Sequence, residues 1–229
     1  MREYTLIKSK RKTISIKINE DASLEVRAPN HLSKKKIDEH IQSKEKWIAK
    51  HTKEIREKYK LKKEFTLNFN DYVSLRGEKT YILPLKGKTA KYDEEKRIFY
   101  IPDFANQEQI KEIVIQLYKL IAKSYIQQRV SFFSKEMNVN PKGLRITSAK
   151  TRWGSCSGKN TINFSWKLIM AADETIDYVV VHELAHIKQH NHSPKFWKIV
   201  ESIIPDYKVQ KEKLKELGEK LSQENWELK

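Results

Sequence analysis

Hydrophobic positions along this chain recur at two periods, and the switches between them divide it into segments. Residues 2–28 alternate in a strand-like way through Tyr4-Thr5-Leu6-Ile7, Thr13-Ile14-Ser15-Ile16-Lys17-Ile18 and Leu24-Glu25-Val26-Arg27. With a turn at 19–23 and Pro29 as terminator, they predict a β-hairpin or meander. Ser33 then caps a run in which Ile37, Ile41, Ile48 and Ile55 recur at helical spacing, predicting one amphipathic helix to about Lys60. Short strands return at 66–69, 73–75, 81–85 and 97–100, punctuated by Gly77, Gly87 and Asp93-Glu94.

A boundary is expected at 102–106, where Asn106 caps a long helix, 107–137. Its apolar stripe is read as Ile110, Ile113, Val114, Leu117, Leu120, Ile121, Tyr125 and Phe132. Two strand patterns come next, 144–156 and 161–170, joined by the turn Ser157-Gly158-Lys159-Asn160. Asp173 opens another helix, Ser193-Pro194 opens one more, and a charged final helix carries Leu214, Leu217 and Leu221. The expectation is an α+β protein: a mostly β subdomain over 1–101 crossed by one helix, and a second domain over 102–229 built of a long helix, a β-hairpin and the helix from Asp173.

The helix from Asp173 carries the chemistry. Val179-Val180-Val181-His182-Glu183-Leu184-Ala185-His186-Ile187 places His182 and His186 one turn apart on one face, with Glu183 at its edge. Two imidazoles so spaced can share a tetrahedral zinc ion, with Glu183 positioned to take a proton from water in the open coordination position. Val180, Val181, Leu184 and Ile187 make the opposite face apolar enough to be buried, which argues against a surface helix carrying two incidental histidines.

Such a site needs a third ligand, and His190, His192 and Glu201 are the candidates. On an unbroken helix His190 would lie roughly 12 Å along the axis from His182, too far to share an ion. Asn191, which tolerates a left-handed turn, and the new helix start at Ser193-Pro194 reverse the chain instead. His192 is therefore the expected ligand, with Glu201 the alternative for a two-histidine, one-glutamate site.

Several stretches together resemble the YgjP-like metallopeptidase domain family, related to the SprT and WLM zinc peptidases. They are Thr151-Arg152-Trp153-Gly154-Ser155-Cys156, Ile162-Asn163, 176–186, His192-Ser193 and Phe196-Trp197. The resemblance implies a zincin-like catalytic domain with one Zn2+ held by His182, His186 and His192, Glu183 as catalytic base, and a protein or peptide substrate. The His186 to His192 interval also looks like that of metzincins, but Gln189 stands where those enzymes carry glycine and no methionine turn is found downstream. A zinc hydrolase of a non-peptide amide, or a DNA-associated binding or protease module, is the alternative reading.

Composition narrows the rest. In 229 residues, 33% are charged, mean hydropathy is −0.73 and no apolar run reaches the ~20 residues of a bilayer span. Met1-Arg2-Glu3-Tyr4 lacks a signal-peptide core, so a cytoplasmic location and no membrane partner are expected. The lone Cys156 excludes an intramolecular disulfide framework and reads as a small buried group outside the metal site. The net charge of +16 is concentrated in residues 1–100, with 26 Lys and Arg against 15 Asp and Glu. Its clusters, such as Lys34-Lys35-Lys36, admit nucleic acid as a partner of the basic N-terminal half. Arg152, Tyr178 and Tyr207 are candidate oxyanion donors, and Asp177 or Asp206 a candidate orienter of a ligand histidine.

Overall fold

The computed structural model describes residues 3–227, which form two compact units: residues 3–65 with 221–225, and residues 66–220 with 226–227. In the first unit β1 (Thr5–Ser9), β2 (Ser15–Ile18) and β3 (Leu24–Pro29) form a sheet of order β1-β3-β2. In it, β1 runs parallel and β2 antiparallel to β3. Leu24, Val26 and Ala28 of β3 pack with Ile37, Ile41 and Ile48 to form its core.

The single helix expected over 33–60 is two, α1 (Lys34–Ser43) and α2 (Glu45–Glu64). The Ser43 hydroxyl donates back to the His40 carbonyl and Lys44 leaves helical geometry at φ −103, ψ 8. Side-chain bonds of this kind bend or end helices.

The second unit opens with β4 (Tyr72–Leu75), β5 (Glu78–Leu85), β6 (Lys91–Asp93) and β7 (Ile98–Pro102), in the order β4-β5-β7-β6. Residues 66–69 form no strand, and the three-residue β6 is too short to leave a sequence pattern. The compact units divide at residue 65 and not near 102 because the inner face of this sheet, including Phe99 and Ile101, packs on residues C-terminal to it. Phe99 meets Tyr118 edge to face at 5.7 Å, and the Ser74 hydroxyl and Arg76 N–H donate to the carbonyls of Met170 and Ile169.

Helix α3 (Gln107–Glu136) begins at a complete capping box between Asn106 and Gln109. Ile110, Val114 and Leu117 of the expected stripe are buried, together with Ile115, Tyr118, Ala122, Ile126, Val130 and Phe133, whereas Leu120 and Phe132 of that stripe are 66% and 54% exposed. The expected stripe gives every apolar residue equal weight.

Of the predicted strand 144–156 only the ends form, β8 (Gly143–Thr147) and β9 (Gly154–Cys156). They flank β10 (Thr161–Ser165) in the order β8-β10-β9, parallel and antiparallel respectively. Residues Trp166–Met170 are a 3₁₀ turn that buries Trp166, Leu168, Ile169 and Met170. Then come α4 (Asp173–Lys188), α5 (Pro194–Ile203) and α6 (Tyr207–Leu221). Among the described residues no helix is long and apolar enough to cross a membrane.

The N-terminal half of α4 is pinned from two sides. Gly77, at φ +77, sits so close to Ala172 that an added Cβ would lie 2.9 Å from it. Beside it Arg76 forms a two-pronged pair with Asp173 at 2.8 and 2.7 Å, and one turn on Arg129 of α3 grips Asp177 at 2.5 and 2.7 Å.

Candidate metal centre

Helix α4 is buried along most of its length, with Val180, Val181, Leu184 and Ala185 at 0% exposure. His182, Glu183 and His186 lie where its buried surface meets the C-terminal turn. The helix ends at Gln189, whose backbone is extended at φ −143, ψ 102. The reversal beyond it differs from the expected one, since Asn191 is not left-handed. Its side-chain oxygen instead accepts from Gln189 Nε2 at 2.7 Å and from the Ser193 N–H at 3.3 Å, holding a tight loop. Ser193 occupies the N-cap of α5 without a side-chain capping bond, and Pro194 starts the helix.

The loop returns His192 to α4. The ligand-capable ring nitrogens of His182, His186 and His192 all lie within 4.8 Å of one another. The Nε2 atoms of His182 and His192 are 3.1 Å apart. His190 and Glu201, the other candidates from the sequence, are exposed and not part of this group.

Each ring is held differently. His186 Nδ1 faces the Gln189 carbonyl at 3.2 Å, a backbone acceptor supplied by the end of its own helix. His182 is wedged by Phe196 at 4.9 Å and Tyr178 at 5.9 Å, and its Nδ1 is buried with no hydrogen-bond partner among the described residues. His192 lies on the Trp197 ring at 5.7 Å, which in turn stacks on Tyr207 at 5.1 Å. Phe196 and Trp197 belong to the sequence resemblance, but their role as the bed of the third histidine emerges only from the loop geometry.

Burial sets the electrostatics. It pushes His182 down to about 3, helped by His186 and His192, and lowers His186 as well. Both rings are therefore neutral at physiological pH with nitrogen lone pairs free to bind. Glu183 is 6% exposed, and burial raises its carboxyl to about 7.

The carboxylate lies against the backbone of β9. A Cβ built on Gly154 would stand 2.6 Å from Glu183 Oε1, so only glycine lets the strand pass this close. Glycine inside a predicted strand is the available sequence signal for this approach. Cys156, two residues on, is partly buried, and its thiol is raised first by burial and then by the Glu183 charge.

The donor set fits a metal ion. Two nitrogens bound to one tetrahedral ion at ~2.0–2.1 Å stand about 3.3 Å apart, near the His182–His192 separation. Three imidazole nitrogens suit zinc, and accept cobalt, nickel or copper too.

The other sequence candidates stand apart from the three rings or serve them indirectly. Asp177 and Asp206 do not reach a histidine: the first is held by Arg129 and the second accepts from Gln210 Nε2 at 2.6 Å. Tyr178 is buried one turn before His182, with its hydroxyl raised to about 12 by burial. Tyr207 belongs to the stack under His192, and Arg152 is exposed.

A family model described as "YgjP-like, metallopeptidase domain" matches residues 12–217. A search of curated proteins finds no match. Among solved structures, the crystal structure of the metallopeptidase zymogen of Pyrococcus abyssi abylysin is 25% identical. That match covers 43% of this chain and 97% of that one, with a TM-score of 0.38.

Proposed function

Because the chain belongs to the YgjP-like metallopeptidase domain family, we propose that it is a zinc-dependent peptidase whose single Zn2+ is held by His182, His186 and His192. The observation that carries the reading is the convergence of three imidazoles beside one buried carboxylate. When bound, the ion supplies Lewis acidity toward water and toward a peptide carbonyl.

The chain's own groups do the rest. Glu183 takes the proton from the attacking water and hands it to the leaving amine. A carboxyl raised toward neutrality by burial is suited to both transfers. The edge of β9 turned from β10 has no strand partner among the described residues, and β9 packs beside α4. An extended substrate can therefore add to β9 as a further strand and bring its carbonyl to Glu183. Tyr178, protonated at neutral pH and one turn before His182 with its ring 5.9 Å away, is the proposed donor for the developing oxyanion.

The test compares the zinc-loaded chain with its Glu183→Gln variant on a denatured protein substrate. The expected result is cleavage by the first and its loss, by roughly 10²–10⁴-fold, in the second with zinc content unchanged. Equal cleavage by both would remove Glu183 from the mechanism, and cleavage of small-molecule amides but no peptide would replace the substrate class.

A further inference from the structure

The β4-β5-β7-β6 sheet has two faces of opposite character. Along β5, Thr80 and Ile82 are buried while Tyr81 is 46% exposed; along β7, Phe99 and Ile101 are buried while Ile98 and Tyr100 turn outward. Register sets Tyr72 opposite Tyr81, Tyr81 opposite Ile98, and Leu83 opposite Tyr100. Three tyrosines from three strands therefore share the outer face, which no segment of the described chain covers at Tyr72 or Tyr81.

The rings of Tyr72 and Tyr81 meet at 6.1 Å, and Tyr100 stands diagonal to Tyr81, about 7–8 Å away by sheet geometry. Lysines frame them. Lys79 Nζ lies 4.3 Å from the Tyr72 ring centre and Lys91 Nζ 5.4 Å from that of Tyr100. Lys86 and Lys88 stand on the exposed loop between β5 and β6. None of these four enters a salt bridge among the described residues, whereas Arg76, Lys96 and Arg97 nearby are paired with Glu94, Asp93 and Glu78.

We infer that this face is a binding site for single-stranded nucleic acid, with bases stacked on Tyr72, Tyr81 and Tyr100 and phosphates held by Lys79 and Lys91. Aromatic rings on a sheet accept unpaired bases of any sequence, and unpaired lysines beside them match a phosphate backbone. Duplex is a poor fit, because its bases present no free faces. An acidic peptide would use the lysines but leave the rings without a role, and an apolar partner would bury four unpaired charges. The site differs in place from the basic N-terminal clusters such as Lys34-Lys35-Lys36, and it does not depend on the histidine centre or on peptidase activity.

The experiment is fluorescence anisotropy with the full-length chain and a labelled oligothymidine of about 12 nucleotides, within the ~4–16 that such stacking surfaces span, at low salt. Expected is saturable binding that weakens as salt rises, with a slope of log affinity on log salt of roughly −0.7 per phosphate contact. Tyr81→Ala should weaken binding by about tenfold and Tyr81→Phe hardly at all, since stacking needs the ring and not the hydroxyl. Lys79→Glu combined with Lys91→Glu should weaken it further and flatten the salt slope, which keeps the test informative if one tyrosine variant is unstable. Absence of binding at low salt overturns the inference. So does equal affinity for a duplex of the same length, or affinity unchanged in Tyr81→Ala. Dimerisation lost in Tyr81→Ala without oligonucleotide present would reassign the face to a second copy of the chain.

Discussion

Gly154→Ala isolates the contact between β9 and Glu183. The backbone at 154 lies outside the left-handed region, so alanine is conformationally permitted and the only consequence is steric. The new Cβ would stand 2.6 Å from Oε1, 2.7 Å from Cγ and 2.9 Å from Cδ of Glu183. Restoring an ordinary ~3.4 Å contact requires a displacement of about 0.8 Å. A flexible carboxylate arm can supply most of it, so the stability cost belongs at the low end of the ~1–3 kcal/mol usual for overpacking. Activity has no such tolerance, because a misplacement of ~1 Å costs about 10²-fold. Gly143→Ala is the control: it adds the same methyl to β8, where the nearest atom is Thr161 Cγ2 at an ordinary 3.7 Å. Peptide turnover, zinc content and Tm of both variants are the assay. Expected is a loss of about two orders of magnitude in kcat/KM for Gly154→Ala with zinc retained, and near-native turnover for Gly143→Ala. Equal turnover in the two would refute the idea that the strand positions the carboxylate.

Contacts around α4 set three further outcomes. Asp177→Ala leaves Arg129 half-buried without its carboxylate and should cost roughly 2–3 kcal/mol, somewhat below a fully buried pair, measured by denaturant unfolding. Asp173 is held below the usual carboxylate range, first by its hydrogen bonds from Arg76. A depressed folded pKa gives stability that is present above the unfolded value near ~3.9 and lost as pH falls through the folded one. Acid unfolding should therefore begin at higher pH once Arg76→Ala removes that partner, and coincident acid transitions for the two proteins would contradict this. Trp197→Ala removes the ring under His192 and should raise the zinc Kd by about 10–100-fold, while Trp197→Phe recovers most of the affinity. A competitive chelator titration reads this directly.

Legible in the sequence is whatever depends on spacing along one element. His182 and His186 stand on one helix face, with Glu183 at its edge, because 3.6 residues make a turn, and Pro194 marks the restart that returns His192. The stretch between them reads as a reversal, but the expected cause is wrong, since Asn191 acts through its side-chain oxygen and not through a left-handed backbone. Contacts between distant segments carry no local signal. Asp177 looks from the sequence like a partner of histidine, yet Arg129, 48 residues away, takes it. The β4-β5-β7-β6 sheet groups with the N-terminal strands on pattern alone because its own residues are β-like. Its buried face, however, belongs with α3, and only the packing of Phe99 on Tyr118 reveals that. The tyrosine face is invisible for the same reason: Tyr72, Tyr81 and Tyr100 are scattered in sequence and adjoin only in register.

The most direct test of the metal centre is calorimetric titration of zinc into the metal-free chain and into His182→Ala, His186→Ala and His192→Ala. Three imidazoles sharing one ion require a single tight equivalent of zinc in the native chain and a large loss of affinity in each of the three variants. Tight stoichiometric binding that survives His192→Ala, or no zinc binding by the native chain, would contradict it.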